Sequence, residues 1–138
     1  MKPIKIGIAG MGTVASGVVK VLERNQAEIT RRAGRGIEVA VVCERTPGRA
    51  AHLEERGVEV INDLSQLASH PDVDIVVELI GGYEPARSFV LEAIANGKHV
   101  VTANKALLAE HGNEIFQAAQ DKGVTVAFEA AVAGGIPV

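Results

Sequence analysis

At 138 residues the chain is long enough for one domain around a single buried core and too short for two. Fourteen Lys and Arg against seventeen Asp and Glu leave a net charge of −3, which speaks against a sequence-independent electrostatic grip on nucleic acid. The composition is 47% hydrophobic with 15 glycines but only 3% aromatic, so the core has to be built from Val, Ile, Leu and Ala, the palette of an α/β protein.

The lone Cys43 excludes an internal disulfide, and the apolar run after Met1 is too short and too broken by glycine for a secretory signal. No stretch approaches the roughly 18 uninterrupted apolar residues of a membrane span. A cytoplasmic protein without membrane or nucleic-acid partners is expected. The closing stretch Gly134-Gly135-Ile136-Pro137-Val138 is apolar, with no cap or polar tail, and is expected to continue into a longer polypeptide.

Ile4–Ala9 reads as a buried strand that breaks at Gly10. From Thr13 the period changes: Val14, Val18, Val21, Leu22 and Ile29 share one helical face, and Gly34 and Gly36 end that helix. Ile37–Cys43 is a second strand, followed by a short helix opened by Thr46-Pro47, running to about Arg56 and closed by Gly57. Val58–Ile61 forms a third strand, and Asp63 caps a brief helix through Ala68 that Pro71 stops. Asp74–Ile80 is the next strand. Pro85 to Ala95 carries Ala86, Phe89, Val90, Ala93 and Ile94 on one stripe and ends at Asn96-Gly97. His99–Thr102 is a strand, a helix with a break expected near His111-Gly112 runs from about Asn104 to Lys122, and Gly123 leads into a last strand, Val124–Phe128.

Apolar strands alternating with helices predict a parallel sheet covered on both faces, a doubly wound, Rossmann-like α/β fold. Ligands of such sheets bind beyond the carboxyl ends of the strands. The positions that matter are therefore Gly10–Ala15, Glu44–Arg45, Ile80–Gly82, Thr102–Lys105 and Glu129 onward.

Gly10-Met11-Gly12-Thr13-Val14-Ala15 fits G-x-G-x-x-G/A between a strand and a helix, the context a dinucleotide fingerprint requires. Gly10 permits the tight turn, Gly12 lets the backbone approach pyrophosphate, and Ala15 is small enough for close helix packing. The helix N-terminus then offers free N–H groups to the phosphates. An ordinary glycine turn is the competing explanation. Glu44 and Arg45 end the second strand: a carboxylate there suits the ribose hydroxyls of NAD, an arginine the extra phosphate of NADP, and two solvated turn charges are the alternative. Glu44 lies about thirty residues beyond Gly12 rather than about 20, an offset that the long first helix explains.

Lys105 follows the fifth strand directly, at the rim where a nicotinamide ring would lie. Apolar Ala103, Ala106 and Leu107 around it would desolvate the ammonium and bring its pKa toward the range useful for proton transfer; a surface lysine at a helix start is the alternative. Gly81-Gly82 allows a cofactor to approach the backbone, though a simple turn explains it nearly as well. Glu78, the only charge in its apolar strand, must find donors or reach the pocket, and structural pairing is the safer reading. His52, His70, His99 and His111 share no metal-ligand spacing with one another or with Cys43, and no nucleophilic triad is visible.

Four stretches together resemble homoserine dehydrogenase: Gly10 to Val14, Glu78-Leu79-Ile80-Gly81-Gly82, Gly97 to Lys105 (GKHVVTANK) and Glu129 to Pro137 (EAAVAGGIP). The last two are the specific ones, and the likeness spans the whole chain. Arg31 to Glu38 also resembles the basic segment before the second strand in the bacterial form. The resemblance implies an enzyme that interconverts L-aspartate 4-semialdehyde and L-homoserine with NAD or NADP, on the route to threonine, methionine and isoleucine. This chain would be its cofactor-binding domain. A further dimerisation and substrate domain, bearing a second lysine, would lie outside it, and the parent would be a homo-oligomer.

The strand-end reading places Gly10, Gly12, Thr13, Val14, Ala15, Glu44, Arg45, Gly81, Gly82, Thr102, Ala103, Asn104 and Lys105 along the cofactor, and the resemblance further implies that Lys105 is one of two active-site lysines and that Glu129 to Pro137 lines the nicotinamide site. It implies a monovalent cation site, for Na+ or K+, at Glu129, Val132, Gly134 and Ile136, largely through backbone carbonyls. Ala15 and Ala133 stand where glycine is common in the family, both small changes. Glu44 beside Arg45 departs more, because a carboxylate there repels a 2′-phosphate. Two other readings stay open on the residues: a sugar- or inositol-type dehydrogenase, against which Asn104-Lys105-Ala106 speaks, and a dinucleotide-sensing module of the kind that gates potassium transport.

Overall fold

Apolar runs with almost no polar interruption make strands that must be covered on both sides. The computed structural model describes residues 3–10, 36–44, 55 and 57–128. Its strands β1 (Ile4–Gly10), β2 (Ile37–Cys43), β3 (Glu59–Ile61), β4 (Ile75–Leu79), β5 (His99–Thr102) and β6 (Val126–Phe128) form one sheet in the order β3-β2-β1-β4-β5-β6. Every neighbouring pair is parallel. This is the strand order of a doubly wound sheet, and the chain reverses its direction of winding between β1 and β4, which makes the crevice above their carboxyl ends the switch point. The expected fold class is the observed one.

Among the described residues the sheet is flanked by α1 (Leu64–Ala68), α2 (Ala86–Ala95) and α3 (Lys105–Lys122). Successive strand residues point to opposite faces, so the sheet separates two apolar clusters. One joins Ala9, Val41, Val76 and Val100 to Leu67 of α1, Phe89, Val90 and Ile94 of α2, and Leu107, Ile115 and Ala119 of α3. The other, on the opposite face, gathers Ile6, Ile8, Val42, Val58 and Val77.

The helix ends follow the local chemistry. The Asp63 side chain accepts from the Ser65 N–H at 2.8 Å, as its capping position predicts. Pro85 stands at the N-cap of α2, where its missing N–H costs nothing. Gly97 and Gly123 take left-handed φ values of 79° and 75° just past α2 and α3. At the amino-terminal end of the sheet the buried Lys98 ammonium donates to the carbonyls of His70 at 2.6 Å and Val73 at 2.8 Å, tying the turn before β4 to the start of β5. Burial pushes the Lys98 pKa below the usual lysine range, with Asp74 opposing.

Two expectations need correction. The helix break near His111-Gly112 does not occur: α3 is continuous, because Leu107 and Ile115 on either side are both fully buried and hold the turn between them against the core. The last strand begins at Val126 rather than Val124. The Val124 N–H is spent on the Ala119 carbonyl at 3.0 Å in the helix C-cap, and the Thr125 N–H on His99 Nδ1 at 3.1 Å. The expected helices over 13–34 and 46–56 lie outside the described residues, apart from Glu55.

At the exit of β1 the backbone of β4 comes too close for any side chain. Gly10 has φ 148°, and a Cβ there would lie 2.7 Å from Leu79 Cβ and 2.8 Å from the Leu79 carbonyl atoms. Gly10→Ala is expected to cost on the order of 3 kcal/mol, combining backbone strain with overpacking against main chain. Urea unfolding measures it; a loss below about 0.5 kcal/mol, the usual scale of a surface change, would mean that β1 and β4 separate there at little cost.

Candidate functional site

The parallel register brings the strand exits to one rim. Ala9 of β1 pairs with Glu78 of β4, Glu78 with Thr102 of β5, and Gly10 lies opposite Leu79. Cys43 of β2 pairs with Ala9, so Glu44 leaves the sheet on the same side. Glu44 is 7% exposed, and its N–H donates to the Ile61 carbonyl at 2.8 Å. It is therefore a buried residue of the rim and not one of two solvated turn charges. Arg45 and the glycine-loop positions Gly12, Thr13, Val14 and Ala15 lie outside the described residues, as do Glu129, Val132, Gly134 and Ile136 of the expected cation site.

The β4 exit is a double left-handed turn, Gly81 at φ 80° and Gly82 at φ 71°, and none of the described residues comes within 4 Å of the position of a Cβ on either residue. Both torsions favour glycine, which the turn explanation accounts for. The N–H groups of Ile80 and Gly81 donate to Glu78 Oε2 at 2.8 and 3.0 Å. Those two amides are already committed. What this loop offers a ligand is a surface without side chains.

Glu78 is fully buried and finds its donors within the protein, as structural pairing anticipated. Its Oε1 accepts from the Thr102 hydroxyl at 2.6 Å, and Thr102 Oγ1 in turn accepts from the Asn104 N–H at 3.0 Å. Asn104 is 7% exposed and caps α3: Oδ1 accepts from the Leu107 N–H at 3.0 Å, while Nδ2 donates to the Gly82 carbonyl at 2.6 Å. Thr102, Asn104, Gly81 and Gly82 are thus brought together, with the half-buried Ala103 between the first two.

Lys105 is the first residue of α3 and is exposed. The desolvation expected from its apolar neighbours is not provided by the described residues, because Leu107 turns into the core and Ala106 is itself exposed. Its place at a helix start also carries a small dipole penalty for a cation.

A second cluster, which sequence reasoning missed, flanks the β4 exit loop. Arg87 of α2 grips Glu114 of α3 through the Nε and Nη2 edge of its guanidinium, at 2.7 and 2.6 Å, and Nη1 reaches Glu84 at 3.4 Å. Glu84 also accepts from the Ser88 hydroxyl at 2.7 Å, and the Tyr83 ring stands edge-on to His111 with centroids 6.0 Å apart. Only the local spacings of Glu84 to Arg87 and to Ser88 could have pointed to this cluster; Arg87 and Glu114 are 27 positions apart.

A six-stranded parallel sheet of this order, with an obligatory glycine at the β1 exit and a side-chain-free turn across the switch point, defines a dinucleotide-binding domain of the doubly wound class. The chain belongs to the homoserine dehydrogenase family: residues 10–129 match the model of the homoserine dehydrogenase NAD-binding domain. It is 60% identical over all its 138 residues to a homoserine dehydrogenase of Pseudomonas aeruginosa, of which it covers 31%, and 50% identical to one from Neisseria gonorrhoeae, of which it covers 32%. The crystal structure of a homoserine dehydrogenase from Thiobacillus denitrificans superposes with a TM-score of 0.88 at 56% identity, over 95% of this chain and 30% of that one. The chain thus spans about a third of the length of these relatives. The family assignment disfavours both the sensor reading and the sugar-type dehydrogenase reading. No helix among the described residues is long and apolar enough to cross a membrane.

The exposed clamp beside the loop gives the domain a pH dependence. The Glu84 carboxyl is held below its ordinary range chiefly by Ser88, and that of Glu114 chiefly by the Arg87 guanidinium. A carboxylate with a depressed folded pKa stabilises the fold above its unfolded pKa, and that stabilisation is lost as pH falls through the folded value. Arg87→Met is therefore expected to unfold at lower temperature than the parent near neutral pH, with the gap narrowing as pH falls from roughly 6 to 3. A gap constant to the acid end of a thermal-unfolding series would assign the contribution of Arg87 to its methylenes instead.

Proposed function

We propose that this chain is the cofactor-binding portion of an enzyme that interconverts L-homoserine and L-aspartate 4-semialdehyde, taking NAD or NADP at the rim above β1, β2, β4 and β5. The observation that carries the reading is the joining of the β4 and β5 exits beside the switch point, Gly82 to Asn104, in a chain of this family. A bound nicotinamide would supply the hydride-transfer chemistry. The residues of this chain do the rest. Gly10 and Gly12 of the dinucleotide fingerprint admit the pyrophosphate to the backbone, and the helix that the sequence predicts from Thr13 would offer it free N–H groups. Gly81 and Gly82 present a surface on which a flat ring can lie without meeting a Cβ.

Lys105 acts on the substrate oxygen, as an ammonium that stabilises or protonates the developing alkoxide. Its exposure among the described residues suits a group that is covered only when substrate and the remainder of the longer polypeptide close over it. Substrate selection, oligomer contacts and a second lysine belong to that remainder, and a monovalent cation is assigned to Glu129, Val132, Gly134 and Ile136. Carbonyl oxygens are hard donors suited to Na+ or K+.

The adenosine end is shared by two side chains of opposite sign. Glu44 serves the ribose hydroxyls of NAD, and Arg45 pairs with the 2′-phosphate of NADP. Arg45→Ala is expected to weaken NADP binding by about 1.5–3 kcal/mol, the range of a hydrogen bond to a charged group, and to leave NAD nearly unaffected. Titration calorimetry with both cofactors distinguishes this from equal losses, which would remove Arg45 from 2′-site recognition.

In the enzyme that carries this chain, Lys105→Ala is expected to lower kcat for homoserine oxidation by on the order of 10²-fold while leaving dinucleotide affinity intact. Lys105→Arg should rescue it poorly, since guanidinium keeps the charge but neither the shape nor the titration of an amine. Near-parental kcat in Lys105→Ala at saturating substrates would refute the assignment.

A further inference from the structure

Glu78 is placed to do more than neutralise its own burial. Four hydrogen bonds converge on it or on the hydroxyl it engages: Ile80 and Gly81 N–H to Oε2, the Thr102 hydroxyl to Oε1, and the Asn104 N–H to Thr102 Oγ1. A fifth, from Asn104 Nδ2 to the Gly82 carbonyl, returns to the loop where the first two began. The result is a closed circuit that joins the β4 exit to the β5 exit, and Lys105 is the next residue after Asn104. Each carboxylate oxygen has its own donors, so an amide in its place fails in either orientation. Its NH2 would face the N–H groups of Ile80 and Gly81, or it would face the Thr102 hydroxyl and take away the acceptor that the hydroxyl proton has in Glu78 Oε1.

We propose that Glu78 is a positioning residue for the nicotinamide half of the cofactor. Acting through Thr102 and Asn104, the buried carboxylate fixes the Gly81-Gly82 surface and the start of α3 in the arrangement that the ring and its ribose meet. The adenosine half, bound over β1 and β2, does not depend on the circuit. Pre-ordering the two loops removes an entropic cost that binding would otherwise bear, so the gain appears only for ligands that reach them. This inference rests on the dinucleotide reading above and extends it to a residue with no contact of its own to the ligand.

The test compares, by calorimetry on the 138-residue chain, NAD+ and NADP+ with their nicotinamide-free counterparts ADP-ribose and 2′-phospho-ADP-ribose. The parent should favour the whole dinucleotide by roughly ten-fold, and Glu78→Gln and Thr102→Val should each erase most of that preference while the counterparts stay within about two-fold of parental affinity. Thr102→Ser, which keeps the hydroxyl, should restore it. If Glu78→Gln fails to fold, Thr102→Val, which leaves the backbone bonds to Oε2 in place, decides the matter. A preference unchanged in the folded variants, one absent from the parent, an equal weakening of both ligand classes, or the failure of both variants to fold overturns the positioning role. A parent that binds no nucleotide at all refutes the dinucleotide reading itself.

Discussion

A fully buried carboxylate in the middle of a parallel sheet has to be given donors, and the way Glu78 obtains them shapes the whole carboxyl-terminal rim. Leaving it unpaired would cost more than a typical domain can spare. Two donors come from the backbone just beyond β4, which forces that backbone to curl back over its own strand, and the glycines at 81 and 82 make the curl possible. The third comes from the neighbouring strand. The same interactions that satisfy the charge therefore also determine where β4 stops, how its loop turns, and where α3 starts.

Much of the fold was legible because the strands are apolar runs ended by glycine or charge, and the helices between them carry one apolar stripe. Asp63 and Asn96-Gly97 were readable as caps because capping is a short-range matter of one side chain or one torsion. The misplaced break at Gly112 shows the limit. Glycine lowers helix propensity by about 1 kcal/mol, but Leu107, Ile115 and Ala119 are buried on the same helix, and their packing decides. The start of β6 was misread because Val124 looks like strand by composition, while its N–H serves the helix before it.

The site was legible as positions and not as connections. Strand exits are predictable once the sheet is parallel, so Gly10, Glu44, Gly81, Gly82, Thr102 and Asn104 could be assigned to one rim. Nothing in the chain says that Thr102 meets Glu78, 24 residues away, or that Arg87 meets Glu114. Those pairings depend on strand register and helix packing. A local signal also misled: apolar neighbours in sequence suggested a desolvated Lys105, yet a helix directs residues two apart to different sides, and Leu107 is buried while Lys105 is exposed.

The two ends of β4 and β5 are held by chemically opposite devices, an acid that gathers N–H groups at the rim and a lysine that gathers carbonyls at the base. Between them the sheet acts as a partition. Val76 and Val77 are neighbours in the chain, yet one belongs to the helix-covered cluster and the other to the cluster on the far face. Volume lost in one compartment cannot be refilled from the other, since a hydrogen-bonded main chain stands between them. The two halves of the core are therefore free to diverge separately: substitutions on opposite faces should add in free energy, and those on one face should couple.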